Sequence, residues 1–217
     1  MILLLKKEFR LCLHPAALVM LATSALLLVP NYPFGVSFFY MALGIFFICL
    51  DGRENHDAAF TLALPVSRRE AVRGRVLFCA CLELMQLALC AAFAALRSRW
   101  IGADNQAGMD GNLALIGQGF LLFGVFNIAF FPAHYRDIGK VGVPFALGAA
   151  AMFLLITLDV VVTYAVPFVR DVLDTPDPAH LGAKLACLAA GAAAWLILTG
   201  AAIRIAARRF EALDLQL

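Results

Sequence analysis

From Leu11 to Leu50 the chain runs for 40 residues without one Asp, Glu, Lys or Arg. A membrane span needs about 20 predominantly apolar residues, so this stretch is long enough for two, and it rules out a water-soluble globule. Composition agrees: 63% of the 217 residues are hydrophobic and 15% charged, against about 45–50% and 25% in soluble domains. The net charge of +2 is too balanced for a nucleic-acid footprint. The six cysteines, Cys12, Cys49, Cys79, Cys81, Cys90 and Cys187, all lie in or beside apolar stretches. They read as packing residues rather than a disulfide framework or a zinc site.

Cutting the chain at charges, prolines and glycines leaves six apolar segments of about 15 to 24 residues. They run from about Pro15 to Val29, from Phe34 to Leu50, Val76 to Leu96, Asn112 to Pro132, Val141 to about Tyr164, and Leu185 to Ile203. The sequence Pro30-Asn31-Tyr32-Pro33 forces the first two into an antiparallel pair. Short loops rich in Lys and Arg stay on the cytoplasmic side. Of the 17 basic residues, 13 (Lys6, Lys7, Arg10, Arg53, Arg68, Arg69, Arg73, Arg75, Arg136, Lys140, Arg204, Arg208, Arg209) fall on one side of this arrangement. The expected architecture is therefore an all-α, polytopic integral membrane protein with six transmembrane helices in a single domain over 1–217, both termini cytoplasmic, in the cell (inner) membrane.

Residues 1–14 carry Lys6, Lys7, Arg10 and His14 on one face of a helix and Ile2, Leu5, Phe9 and Leu13 on the other, the pattern of an elbow helix lying in the membrane interface. The apolar run that follows lacks the small-residue cleavage site of a secretory signal. No enzyme signature stands out. There is no His-Glu-x-x-His, no Gly-x-Ser-x-Gly and no Gly-x-x-x-x-Gly-Lys-Ser/Thr loop, so catalytic, cofactor and metal residues are expected to be absent. Cys79 and Cys81, two apart on a helix, point their sulfurs to different sides.

The cytoplasmic loop 51–75 carries the most information. Ser67 and Glu70 have the spacing of a capping box, which predicts a helix beginning at Arg68. Before it, Asp57 to Leu64 fits a short amphipathic helix that exposes Phe60 and Leu64 and stops at Pro65.

With Leu64-Pro65-Val66-Ser67-Arg68-Arg69-Glu70, the Lys-Lys-Glu-Phe-Arg run over Lys6 to Arg10, and the six-span layout, the chain resembles the small permease subunits of type-2 ATP-binding-cassette exporters. The match is strongest over roughly residues 1 to 75. It implies a subunit of an ABC transporter that moves substrate, in the export direction, by alternating access. ATP and Mg would be bound, and ATP hydrolysed, on a separate ATPase subunit. Glu54 to Leu64 would be the coupling helix, with Phe60 and Leu64 as apolar contacts and Arg53, Glu54, Asp57, Arg68 and Arg69 as a charged rim ahead of the Ser67 and Glu70 cap. It further implies pairing as a homodimer or with a related permease, and a segment 159–184 on the far side, partly re-entrant over Val160 to Val169. Two other readings stand beside it: a substrate-capturing membrane subunit of a vitamin or metal importer, and a membrane enzyme or assembly factor centred on Glu83.

Glu83, Gln118, Asn127 and Asp159 lie inside expected spans. Glu83 is about 12 Å into the third, at 1.5 Å per residue from Arg75. At that depth a carboxylate marks a functional site or is bonded to Gln86, Gln118 or a hydroxyl on another helix. Asp159 lies nearer the outer surface. Gln118 and Asn127 share the fourth span and are placed to bond between helices. Small residues four apart, Gly142/Ala146/Ala150 and Ala186/Ala190/Ala194, fit close helix packing within the subunit or against a second copy.

Overall fold

Pro15 sets the first feature of the architecture. A residue before proline is pushed to extended backbone, and both Leu13 and His14 are extended, while Pro15 itself suits the first position of a helix. The His14 Nδ1 accepts from the Ala16 N–H at 3.1 Å, capping that new helix. In the computed structural model, which describes residues 1–102 and 105–213, the result is an 89° corner between α1 (Ile2–Cys12) and α2 (Pro15–Leu28). The turn after α2 uses Asn31 at φ 54°, a left-handed conformation that Asn tolerates.

The remaining helices are α3 (Gly35–Glu54), α4 (Asp57–Leu62), α5 (Arg68–Trp100), α6 (Leu113–His134), α7 (Gly142–Ala165) and α8 (Leu181–Glu211). No strand occurs among the described residues. The Ser67 capping box is formed in both directions: the Glu70 N–H donates to Ser67 Oγ at 3.2 Å and the Ser67 N–H to Glu70 Oε2 at 2.9 Å. It starts α5 at Arg68, as the spacing predicts. The 33 residues of α5 make a rod of about 50 Å, longer than the bilayer's roughly 30 Å apolar core. Asn112 caps α6 by accepting from the Ala114 and Leu115 N–H groups.

Five helices, α3 and α5 to α8, are long and apolar enough to cross a membrane by themselves. The expected first span corresponds to α2, which is shorter, and the bent α1–α2 pair supplies a sixth candidate. The helix α6 is the centre of the bundle. Its Phe123, Phe126, Phe130 and Phe131 are fully buried, together with Phe38 of α3 and Phe78 of α5.

Glycines let α6 and α8 approach closely. A Cβ on Gly191 of α8 would lie 2.0 Å from the carbonyl oxygen of Gly117 of α6. The two alanine-rich stripes noted in the sequence do not make this contact. A Cβ on Gly142 would meet nothing within 4 Å, and Ala146, Ala150, Ala186 and Ala190 are exposed. On the same outer surface α7 presents Val143, Leu147 and Leu154 and α8 presents Leu196 and Ile197, an apolar belt suited to lipid.

The segment 159–184 completes α7 through Ala165, forms a short helix over Val169–Leu173, and enters α8 at Leu181. It is pinned to the loop before α6. Asn112 Nδ2 donates to the carbonyls of Leu173 and Thr175 at 2.8 and 3.0 Å, and the buried Lys184 pairs with Asp177 at 3.0 Å.

Candidate functional site

At the opposite, basic end the short helix α4 stands between α3 and α5. His56 in left-handed backbone (φ 50°) turns the chain out of α3 and into α4. Pro65 then follows the helix, which ends at Leu62, two residues short of the expected Leu64. Phe60 is 53% exposed and Leu64 39%, so an apolar knob faces outward. Thr61 on the other face is buried.

A charge cluster holds α4 in place. Arg75 of α5 forms an ion pair with Glu8, its Nε 2.6 Å from Oε2, and donates its Nη2 to Asp57. Lys7 of α1 reaches Asp57 Oδ1 at 2.7 Å, Thr61 Oγ1 at 2.7 Å and Glu8 Oε1 at 3.1 Å. Side-chain exposure is 2% for Glu8, 8% for Arg75, 10% for Lys7 and 18% for Asp57, so these ion pairs are shielded from solvent. Two cations and two carboxylates cancel, joining α1, α4 and α5 through one network. Burial pushes the Asp57 pKa up, but the Arg75 guanidinium and the Lys7 bond outweigh it and hold the carboxyl below its usual 3.8. For Lys7, burial acts downward and the bond to Asp57, with the Glu8 and Asp57 charges, carries the pKa above 10.5.

Ligand atoms of Glu8, Cys12 and Asp57 lie within 4.8 Å of one another, a spacing a metal ion could use. Lys7 and Arg75 already neutralise both carboxylates, so the cluster has no charge deficit for an ion to fill. Beneath α4 lies a cavity of about 380 Å³ lined by His56, Asp57, Arg75, His134 and Tyr135 among others.

The expected rim residues divide between surface and interior. Asp57 faces inward, into the cluster. Arg53 pairs with its neighbour Glu54 and reaches the Gly139 carbonyl at 3.4 Å. Arg68 donates to the carbonyls of Phe210, Glu211 and Leu213, at 2.6 Å for the last. Arg69 pairs with Glu211 at 2.6 Å. The start of α5 is thus tied to the end of α8. Lys7, placed by helical spacing on the polar face of the elbow, turns inward, and Leu4, Glu8 and Cys12 form the buried stripe of α1. Glu8 is a member of the site that sequence reasoning missed. Its place four residues after Leu4 and four before Cys12 was the available signal.

Deeper in the bundle Glu83, fully buried, meets two residues of other helices. The Trp195 Nε1–H donates to Glu83 Oε2 at 2.7 Å, and the Asn127 Nδ2–H donates to the same oxygen at 3.1 Å and to Thr199 Oγ1 at 3.0 Å. Gln86, one of the expected partners, instead donates to the Ser37 carbonyl at 3.1 Å. Gln118 bonds Asp159, joining α6 to α7.

Comparison with protein-family models, with curated proteins and with solved structures finds no match.

Proposed function

We propose that this chain is the membrane-embedded permease subunit of a transporter energised by a separate ATP-hydrolysing subunit. In this reading α2, α3 and α5 to α8 form six spans, α1 lies in the interface as an elbow, and the basic end with both termini faces the cytoplasm. The helix α4 is the docking element, and ATP and Mg are handled by the partner. Two copies, or this chain and a related one, enclose the substrate route.

One observation carries the reading: α4 and the turn that follows it present Phe60 and Leu64 to solvent, while Asp57 of α4 is clamped by Lys7 and Arg75. Exposed apolar side chains on a short, electrostatically anchored helix suit a cleft on a partner. The anchor would transmit a push on α4 to the elbow and to α5 together, and the cavity beneath gives α4 room to move. The enclosed, hydrogen-bonded setting of Glu83 favours a role in the bundle interior over one in membrane-enzyme chemistry.

Replacing Phe60 and Leu64 by Asp tests the docking element. The double variant should insert and fold normally but lose its ATPase partner. A variant that keeps its partner would remove α4 from this role.

A further inference from the structure

Glu83 holds more information than its burial. Both donors that reach it, from Trp195 and Asn127, converge on Oε2. Its other oxygen, Oε1, is buried with no hydrogen-bond partner, and so is Oδ1 of the same Asn127. An ionised carboxylate is acceptor-only and carries charge on both oxygens. It would leave Oε1 bare in the membrane interior, where an unpaired charge is most costly. None of the ion pairs among the described residues includes Glu83. The groups facing it are Asn127 of α6, Trp195 and, through Asn127, Thr199 of α8, and the Cys79 thiol one turn back on α5. None of these is a cation.

We propose that Glu83 is a proton-binding site in the membrane core, occupied at neutral pH, with the proton on Oε1 and Oε2 as the carbonyl oxygen. A neutral carboxyl has one O–H donor and one carbonyl acceptor. The acceptor then receives both N–H groups. The donor supplies what the buried Asn127 Oδ1 lacks, on the amide already bonded to this carboxyl. One proton thus removes the charge and provides a donor where two acceptor atoms had none. The site bridges α5, α6 and α8, so loss of the proton places a charge at the junction of three helices and loosens it. This inference stands independently of what α4 binds.

The test is infrared spectroscopy of the full-length protein in lipid nanodiscs, as the difference between wild type and Glu83→Gln. Asp159 is present in both and cancels. The expected result at neutral pH is a protonated-carboxyl C=O band that shifts in D2O and is lost in the variant. Trp195→Phe keeps Glu83 and removes one of the two donors to its carbonyl oxygen, so the band moves to higher frequency. This second variant carries the test if Glu83→Gln fails to fold. Carboxylate stretches in place of the carboxyl band would overturn the proposal. So would a carboxyl band that emerges only when sodium is withdrawn, which would assign the site to a bound cation. A band unmoved in Trp195→Phe would overturn the assignment of Oε2 as the carbonyl.

Discussion

Replacing Arg75 by Met removes one of the two cations, Arg75 and Lys7, that contact both Glu8 and Asp57, while keeping the volume of the buried stem. Glu8 is 2% exposed and Arg75 8%, so the variant strands a carboxylate away from water. Breaking a buried pair by removing one partner costs about 3–5 kcal/mol. Lys7 still contacts Glu8 at 3.1 Å and Asp57 at 2.7 Å, which places the expected loss near the lower bound, about 3 kcal/mol, or roughly 100-fold in the equilibrium that opens α1 from α5. Cys12 reports on that opening. It is 6% exposed, with its sulfur 3.3 Å from Arg75 Nη2 and 3.6 Å from Asp57 Oδ1. In a background that retains Cys12 alone, maleimide labelling through transient opening should accelerate by about two orders of magnitude in Arg75→Met. Adding Glu8→Gln should recover part of the protection, because the stranded charge is gone. Labelling no faster than in the parent, or a double variant as open as the single one, would refute the clamp.

The same cluster predicts an acid response. The Asp57 pKa is held below its unfolded value of 3.8, so its contribution is fully present above that value and is lost as pH falls through the folded pKa. The thermal midpoint in detergent should drop on acidification below about pH 4, and Asp57→Asn should flatten that part of the profile; identical slopes would separate Asp57 from the effect. Among the glycines, Gly191→Ala drives a Cβ to 2.0 Å from a backbone oxygen of α6. It should cost at least the 1–3 kcal/mol of an overpacked core, read as a large loss of thermal stability. Gly200→Ala on the same helix, with nothing within 4 Å, should be neutral or slightly stabilising, and equal effects of the two would contradict the close α6–α8 contact.

Much of the local structure was legible in the sequence because it depends on near neighbours. Pro15 and His14 set the corner, Ser67 and Glu70 set the start of α5, and the charge-free runs marked the five long helices to within a few residues at most ends. Pairings between distant segments were not legible. Helical periodicity assigns a residue to a face without naming what lies opposite, so Gln86, Gln118 or a hydroxyl on another helix were the candidate partners of Glu83, whereas Trp195, 112 positions away, and Asn127 hold it. Lys7 and Asp57 carry the polar character of surface residues, and only the fold brings them, 50 positions apart, beside the buried Glu8 and Arg75. Small-residue spacing did not locate the close contact inside the subunit for a related reason: alanine-rich helices repeat at four by chance, while the α6–α8 contact that needs small residues falls on Gly117 and Gly191.

In the proposed function the basic end docks a separate ATPase. Docking is tested most directly by purification of the chain from membranes that co-express a candidate ATPase partner, followed by assay for comigration and vanadate-sensitive ATP hydrolysis. The expected result is one complex with that activity. A chain that purifies without the ATPase and carries a tightly bound small ligand would contradict it and assign the protein to substrate capture.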